Sequence, residues 1–128
     1  MTSTELCQRT RITQRELQWW TDTGVVGSTR TAAGRDFDLS QALTAAIVAE
    51  LRCKGVSLRR IRELGITKPL GEYLVVVHAR LWCIWCSEQD VISHVCACPG
   101  PCLVVSVEDL RKRLHDQTAP RFPRRPRN

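Results

Sequence analysis

Five of the seven cysteines fall within twenty residues, as Cys83-x-x-Cys86 and Cys96-x-Cys98-x-x-x-Cys102, with His94 just ahead of the second group. Thiolates two or three residues apart can grip one metal ion, so zinc or iron–sulfur chemistry is the first reading to weigh. Three features favour packing instead. Side chains alternate along a strand, so a regular strand over 81–86 sends Cys83 and Cys86 to opposite faces. Cysteine is a small apolar group and among the most buried residue types. The surrounding pattern of strands and helices needs no metal. We therefore expect Cys83, Cys86, Cys96, Cys98 and Cys102 to fill space, with no metal and no cofactor. A thiol- or metal-responsive site is the alternative. Cys7 and Cys53 belong on helix faces in the core, and an odd cysteine count argues against a complete disulfide framework. No phosphate-binding glycine loop, nucleophile elbow or carboxylate pair on one face is present, so no enzyme is expected.

A second set of residues stands at the start of a helix. Thr13-Gln14-Arg15-Glu16 has the form of a capping box, a hydroxyl followed three residues later by Glu, and it opens a helix carrying Leu17 and Trp20. Thr2-Ser3-Thr4-Glu5 is another such box, opening a helix that buries Leu6. Gly24 suits the end of the second helix. Two short capped helices joined by a tight turn at Arg11-Ile12 make a helix-turn-helix pattern. Trp20 shares a stripe with Leu17 and reads as core. Trp19 cannot share that face and is left exposed.

Further along the chain lie the segments that hold this pair of helices in place. From Val25 to Asp38 helical periodicity fails, and Val25-Val26 pairing with Phe37 across a loop predicts a small hairpin. Ser40 is the expected cap of a longer helix, with Leu39, Leu43, Ile47 and Leu51 on one stripe and Ala42 and Ala46 beside it. Lys54-Gly55 ends it. Ser57 caps another helix, with Leu58, Ile61 and Leu64 facing inward. Pro69 and Gly71 mark a linker. Strands are then expected over 73–77 and 81–86, turning at His78-Ala79-Arg80. A helix capped by Ser87 carries Val91, Ile92 and Val95. A loop over 98–102, a third strand over 103–107 and a last helix through Leu110 and Leu114 complete a ββαβα unit. The fold class is α+β. The expected division is residues 1–68, residues 72–117, and a Pro/Arg-rich, disordered tail over 118–128.

Charge is unevenly spread along the 128 residues. Residues 1–70 hold 11 Lys/Arg against 7 Asp/Glu, a net +4; residues 71–110 hold 1 against 5, a net −4; residues 111–128 hold 7 against 1, a net +6. Basic segments seek phosphate and an acidic one is repelled by it, so separate tasks are implied. No apolar run approaches the roughly 20 residues of a membrane helix, and the first residues lack the apolar centre of a signal peptide. The expectation is a cytoplasmic chain with reduced thiols and no membrane partner.

Three pieces in register carry a family resemblance: Thr13-Gln14-Arg15-Glu16-Leu17-Gln18-Trp19-Trp20 with Thr23-Gly24-Val25-Val26; Gly34-Arg35-Asp36-Phe37; and Leu51 to Glu63, which reads LRCKGVSLRRIRE. Together they resemble the recognition helix, wing and second helix pair of MerR-type winged helix-turn-helix domains, over roughly residues 2–66. Trp19 stands where the family usually has Tyr, and Asp36 and Asp38 dilute the wing's charge. The long dimerisation coiled coil usual after such domains is missing, since nothing beyond Gly65 keeps heptads.

The resemblance implies a double-stranded DNA-binding transcriptional regulator, nucleoid-associated, with recruitment of the transcription machinery. It implies Gln14 and Arg15 at base edges, Thr13 and Trp19 at the same interface, and Arg11, Arg30 and Arg35 on phosphate or in the minor groove. Arg9 and the Arg59, Arg60, Arg62 run are further phosphate candidates. The C-terminal unit would serve self-association as a homodimer or contact with a partner. An excisionase-like or architectural DNA-bending factor is an alternative use of the same fold.

Overall fold

A computed structural model describes residues 1–66, 69–77, 82–98 and 100–115. The expected turn at 78–80, Leu81, Pro99 and the tail over 118–128 lie outside the described residues.

The chain starts with helix α1 (Ser3–Thr10) and helix α2 (Gln14–Asp22). Both carry complete capping boxes, Thr2 with Glu5 and Thr13 with Glu16. Each box satisfies two backbone N–H groups that a helix start would otherwise leave open. Between the helices, Arg11 takes a left-handed backbone at φ 57°. That conformation costs a non-glycine residue about 1 kcal/mol or more. Burial of Ile12 in the core offsets it.

A two-stranded hairpin comes next, β1 (Thr29–Thr31) against β2 (Gly34–Asp36). It lies further along than expected. Val25 and Val26 form no strand; their N–H groups bond the Trp20 carbonyl at 2.9 and 3.2 Å and their side chains are buried. They close the end of α2 rather than pair with Phe37. Phe37 is buried, and its N–H meets the Met1 carbonyl at 2.9 Å, which ties the hairpin base to the start of α1.

Helix α3 (Leu39–Cys53) is capped by Asp38 in a box with Gln41, not by Ser40. An aspartate two residues earlier supplies the same acceptor, so the helix gains its first half-turn and Leu39 moves to a 40% exposed edge position. Nine α3 residues from Ala42 to Leu51 are buried, so the helix is walled on more than one side. Helix α4 (Leu58–Leu64) begins at the expected Ser57 cap and buries Ile61, with Leu58 and Leu64 half-buried against the core.

The C-terminal segment runs β3 (Tyr73–Val77), β4 (Trp82–Cys86), α5 (Glu88–Ala97), β5 (Cys102–Ser106) and α6 (Val107–His115). The three strands form one antiparallel sheet in the order β4-β3-β5, with Tyr73 opposite both Cys86 and Ser106. Strand alternation puts Leu74 and Val76, flanked by Cys83, Trp85, Leu103 and Val105, on the face that joins the core. Val75 is fully buried on the other face, the side carrying Ile84 and Cys86, and α5 packs against β3. No α5 residue is itself buried, so the helix is a cover rather than a core element.

Helix α6 places Val107, Leu110 and Leu114 at helical spacing toward α3 and α1. Fully burying each is worth about 1.5–3 kcal/mol. Buried residues of the first four helices and of the sheet and α6 form one contiguous cluster.

Candidate nucleic-acid interface

Helix α2 separates its faces cleanly. Leu17 and Trp20, each 2% exposed, anchor it to the core. Gln14, Arg15, Gln18, Trp19 and Asp22 are exposed and succeed one another at helical spacing. Trp19 is 60% exposed, an unusual setting for a tryptophan and the reverse of its neighbour Trp20. Thr13 heads this stripe. Its Oγ1 accepts from the Glu16 N–H at 3.1 Å, and the Glu16 carboxylate accepts from the Thr13 N–H at 3.2 Å. The hydroxyl of Thr13 is therefore committed to the helix start.

Arg15 and Arg11 are exposed, and neither has a protein partner among the described residues. Gln14 differs: its Nε2 donates to Thr4 Oγ1 at 3.2 Å. The pair ties the start of α2 to the first turn of α1. It leaves the Gln14 Oε1 acceptor open, so a bidentate contact to a base would need the amide to leave Thr4.

The hairpin carries the other cations. Arg30 and Arg35 lie directly opposite each other across the two strands. Like charges in that register repel. The structure relieves this by turning Arg35 onto Asp22 at the end of α2, at 2.7 Å. Arg35 thus clamps the hairpin to the exposed stripe, and Arg30 remains exposed and unpaired among the described residues. The hairpin tip is closed by Thr31 Oγ1 donating to the Gly34 carbonyl at 2.9 Å, with Gly34 at φ 120°.

A capped helix with one exposed face, flanked by a hairpin and by exposed arginines, has the form of a helix-turn-helix domain. The family model for MerR HTH regulatory proteins matches residues 1–64. This chain belongs to that family. The MerR HTH family is one of DNA-binding regulators rather than enzymes. Neither a curated protein nor a solved structure gives a significant match to the chain. The MerR match ends at α4, so the sheet and α6 lie beyond it.

Sequence reasoning missed Gln18. It stands four residues after Gln14 on the exposed stripe, and that spacing was the available signal. The Arg35–Asp22 clamp was not foreseeable, since it depends on where the hairpin folds back. Arg9 is half-buried, and its guanidinium donates to the Leu114 carbonyl, so it caps the end of α6.

The cysteines do not converge. Cys83 sits on the core face of β4, while Cys86 is buried on the other. Cys96 is exposed. Cys98 Sγ donates to the His94 carbonyl at 3.2 Å and also meets the Cys102 thiol. Among the described residues no three His, Cys, Asp or Glu side chains are grouped to hold a metal ion. Burial pushes the Cys83 thiol up; burial and then the Asp90 carboxylate push Cys86 up; burial and then the Cys102 contact push Cys98 up. All three shifts favour the protonated thiol rather than a metal-binding thiolate. Among the described residues no helix is long and apolar enough to cross a membrane.

Proposed function

We propose that this MerR-family chain is a sequence-specific regulator of transcription that reads double-stranded DNA through α2. The observation that carries the reading is the exposed stripe Gln14, Arg15, Gln18, Trp19 and Asp22, held rigid by Leu17 and Trp20 beneath it. In this reading the first turn of α2 enters the major groove. Arg15 donates to guanine N7 and O6, and Gln14, released from Thr4, pairs with adenine. Arg11, Arg30 and Arg35 meet phosphates and set affinity and register. The Thr13 box holds the helix start in position, and Trp19 packs at the edge of the interface.

Residues 1–68 would carry DNA contact, and residues 72–117 self-association. The second role is supported by the sheet's outer strands, β4 and β5, each with no further strand beside it among the described residues, so that either could pair with a second copy. Selection of binding sites from random duplex DNA tests the whole reading. A recovered consensus, bound far more tightly than scrambled duplex, is the expected result. Recovery of no consensus would remove sequence-specific readout.

A further inference from the structure

Seven acids stand among residues 1–70, and six of them serve the fold locally. Glu5 and Glu16 complete capping boxes, Asp38 caps α3, and Asp36 meets the Met1 amine at 3.2 Å. Glu50 and Glu63 pair with Lys54 and Arg59 one turn along their own helices. Asp22 is different. It is the last residue of α2, where the helix dipole disfavours negative charge, and no basic residue stands in that turn. It also lies on the exposed stripe with Gln14, Arg15, Gln18 and Trp19, where its charge opposes a phosphate backbone. Two local rules are broken at one residue, a pattern that marks functional positions.

The Asp22 carboxylate is held by Arg35 of the hairpin, Nη2 donating to Oδ1 at 2.7 Å. A carboxylate and a phosphate offer a guanidinium the same chemistry, anionic oxygens that accept two parallel N–H bonds. Asp22 therefore fills a place on Arg35 that a phosphate oxygen can take. The two side chains remain 21% and 47% exposed, Arg35 and Asp22 in that order. An ion pair so well solvated is weak, and it can be exchanged. Arg30 lies directly opposite Arg35 across the hairpin, so both side chains leave the same face. Once Asp22 lets go, that face presents two adjacent cations to one phosphate strand.

Granted the DNA-reading role proposed above, on which this rests, we propose that Asp22 is an internal competitor of DNA. It occupies Arg35 in the free chain, and Arg35 exchanges the carboxylate for a backbone phosphate when a duplex docks. The pair is thus an autoinhibitory contact within the reading head. It restrains the sequence-independent part of binding, because Arg35 contributes charge rather than base readout in that reading. Affinity for every duplex is lowered by the same factor. The competing role for the pair is a rigid brace that keeps the hairpin in its docking position.

The test is a double-mutant cycle on the full-length chain, with Asp22→Ala, Arg35→Ala and both together. Each protein is titrated against a duplex of scrambled sequence at several salt concentrations by fluorescence anisotropy. Urea unfolding confirms that all four chains are folded. Asp22→Ala should bind more tightly, with a log–log salt slope steeper by about 0.9, the share of one phosphate contact. Its gain is then roughly 3.5-fold larger at about 50 mM than at about 200 mM salt. In the Arg35→Ala background the same change at Asp22 should leave the slope as it was. An equal gain in both backgrounds would overturn the competitor role, since Asp22 then acts only as a nearby negative charge. Weaker binding by Asp22→Ala would overturn it in favour of the brace, and unchanged binding would overturn it outright. If the unaltered chain binds no duplex at any salt, the DNA-reading role itself falls, an outcome distinct from any shift among the variants.

Discussion

Replacing Arg15 by Ala separates readout from scaffolding. The residue is the second of α2, exposed, with no protein partner among the described residues. Both Arg and Ala are good helix formers, and the Thr13–Glu16 box is untouched. The unfolding free energy should therefore stay within about 0.5 kcal/mol of the parent chain. A bidentate arginine–guanine contact supplies about 1–3 kcal/mol of discrimination. Its loss weakens binding to the selected duplex by roughly 5- to 150-fold. Binding to scrambled duplex falls only by the share of one positive charge. Anisotropy with both duplexes, beside urea unfolding followed by tryptophan fluorescence, measures all three quantities. Equal loss on both duplexes would show that Arg15 meets phosphate and not a base. A shifted unfolding midpoint would show that Arg15 supports the fold itself.

Arg35→Ala should act differently, weakening selected and scrambled duplexes by the same factor, because in the proposed reading its guanidinium, which holds Asp22, serves charge rather than a base. Anisotropy on the same two duplexes checks this, and a loss confined to the selected site would refute it. Leu114→Ala should cost about 2–5 kcal/mol and keep a single unfolding transition, since Leu114 belongs to one cluster with the helix-turn-helix residues. Two separate transitions by circular dichroism and fluorescence would contradict that shared core. Alkaline pH should also weaken the fold. Burial first, and then the Glu16 carboxylate, raises the Cys7 thiol from the ordinary 9.0 to about 11. The folded chain then holds its proton where the unfolded chain has lost it, so this stability is complete below pH 9 and drains away as pH climbs toward about 11. Cys7→Val should flatten that part of a stability–pH curve, and an unchanged slope would refute the assignment.

Much of the helix-turn-helix could be read directly from residue order because its signals are local. The Thr2 and Thr13 boxes, the Ser57 cap and the contrast between Trp19 and Trp20 each depend on neighbours within one turn. The errors came where two local solutions compete. Asp38 and Ser40 can both cap α3, and the aspartate wins with Gln41 as its reciprocal partner. Val25 and Val26 have strand-like side chains, but burial behind α2 takes them before any hairpin can. Contacts between distant residues were beyond reach of sequence patterning. Arg35 with Asp22, Gln14 with Thr4 and Arg9 with Leu114 each require the tertiary fold to bring the groups together. The apolar residues of α5 show the same limit: Ile92 reads as core by type yet is 71% exposed, because the helix covers the sheet without sinking into it.

Helix α3 acts as a keel shared by both ends of the chain, pressed by α1 and α4 and by α6. A cut after residue 66 would strip away Val107, Leu110 and Leu114 and leave a bare greasy wall facing water. The stretch behind α4 is thus less an appendage than the seal that keeps one side of α3 dry.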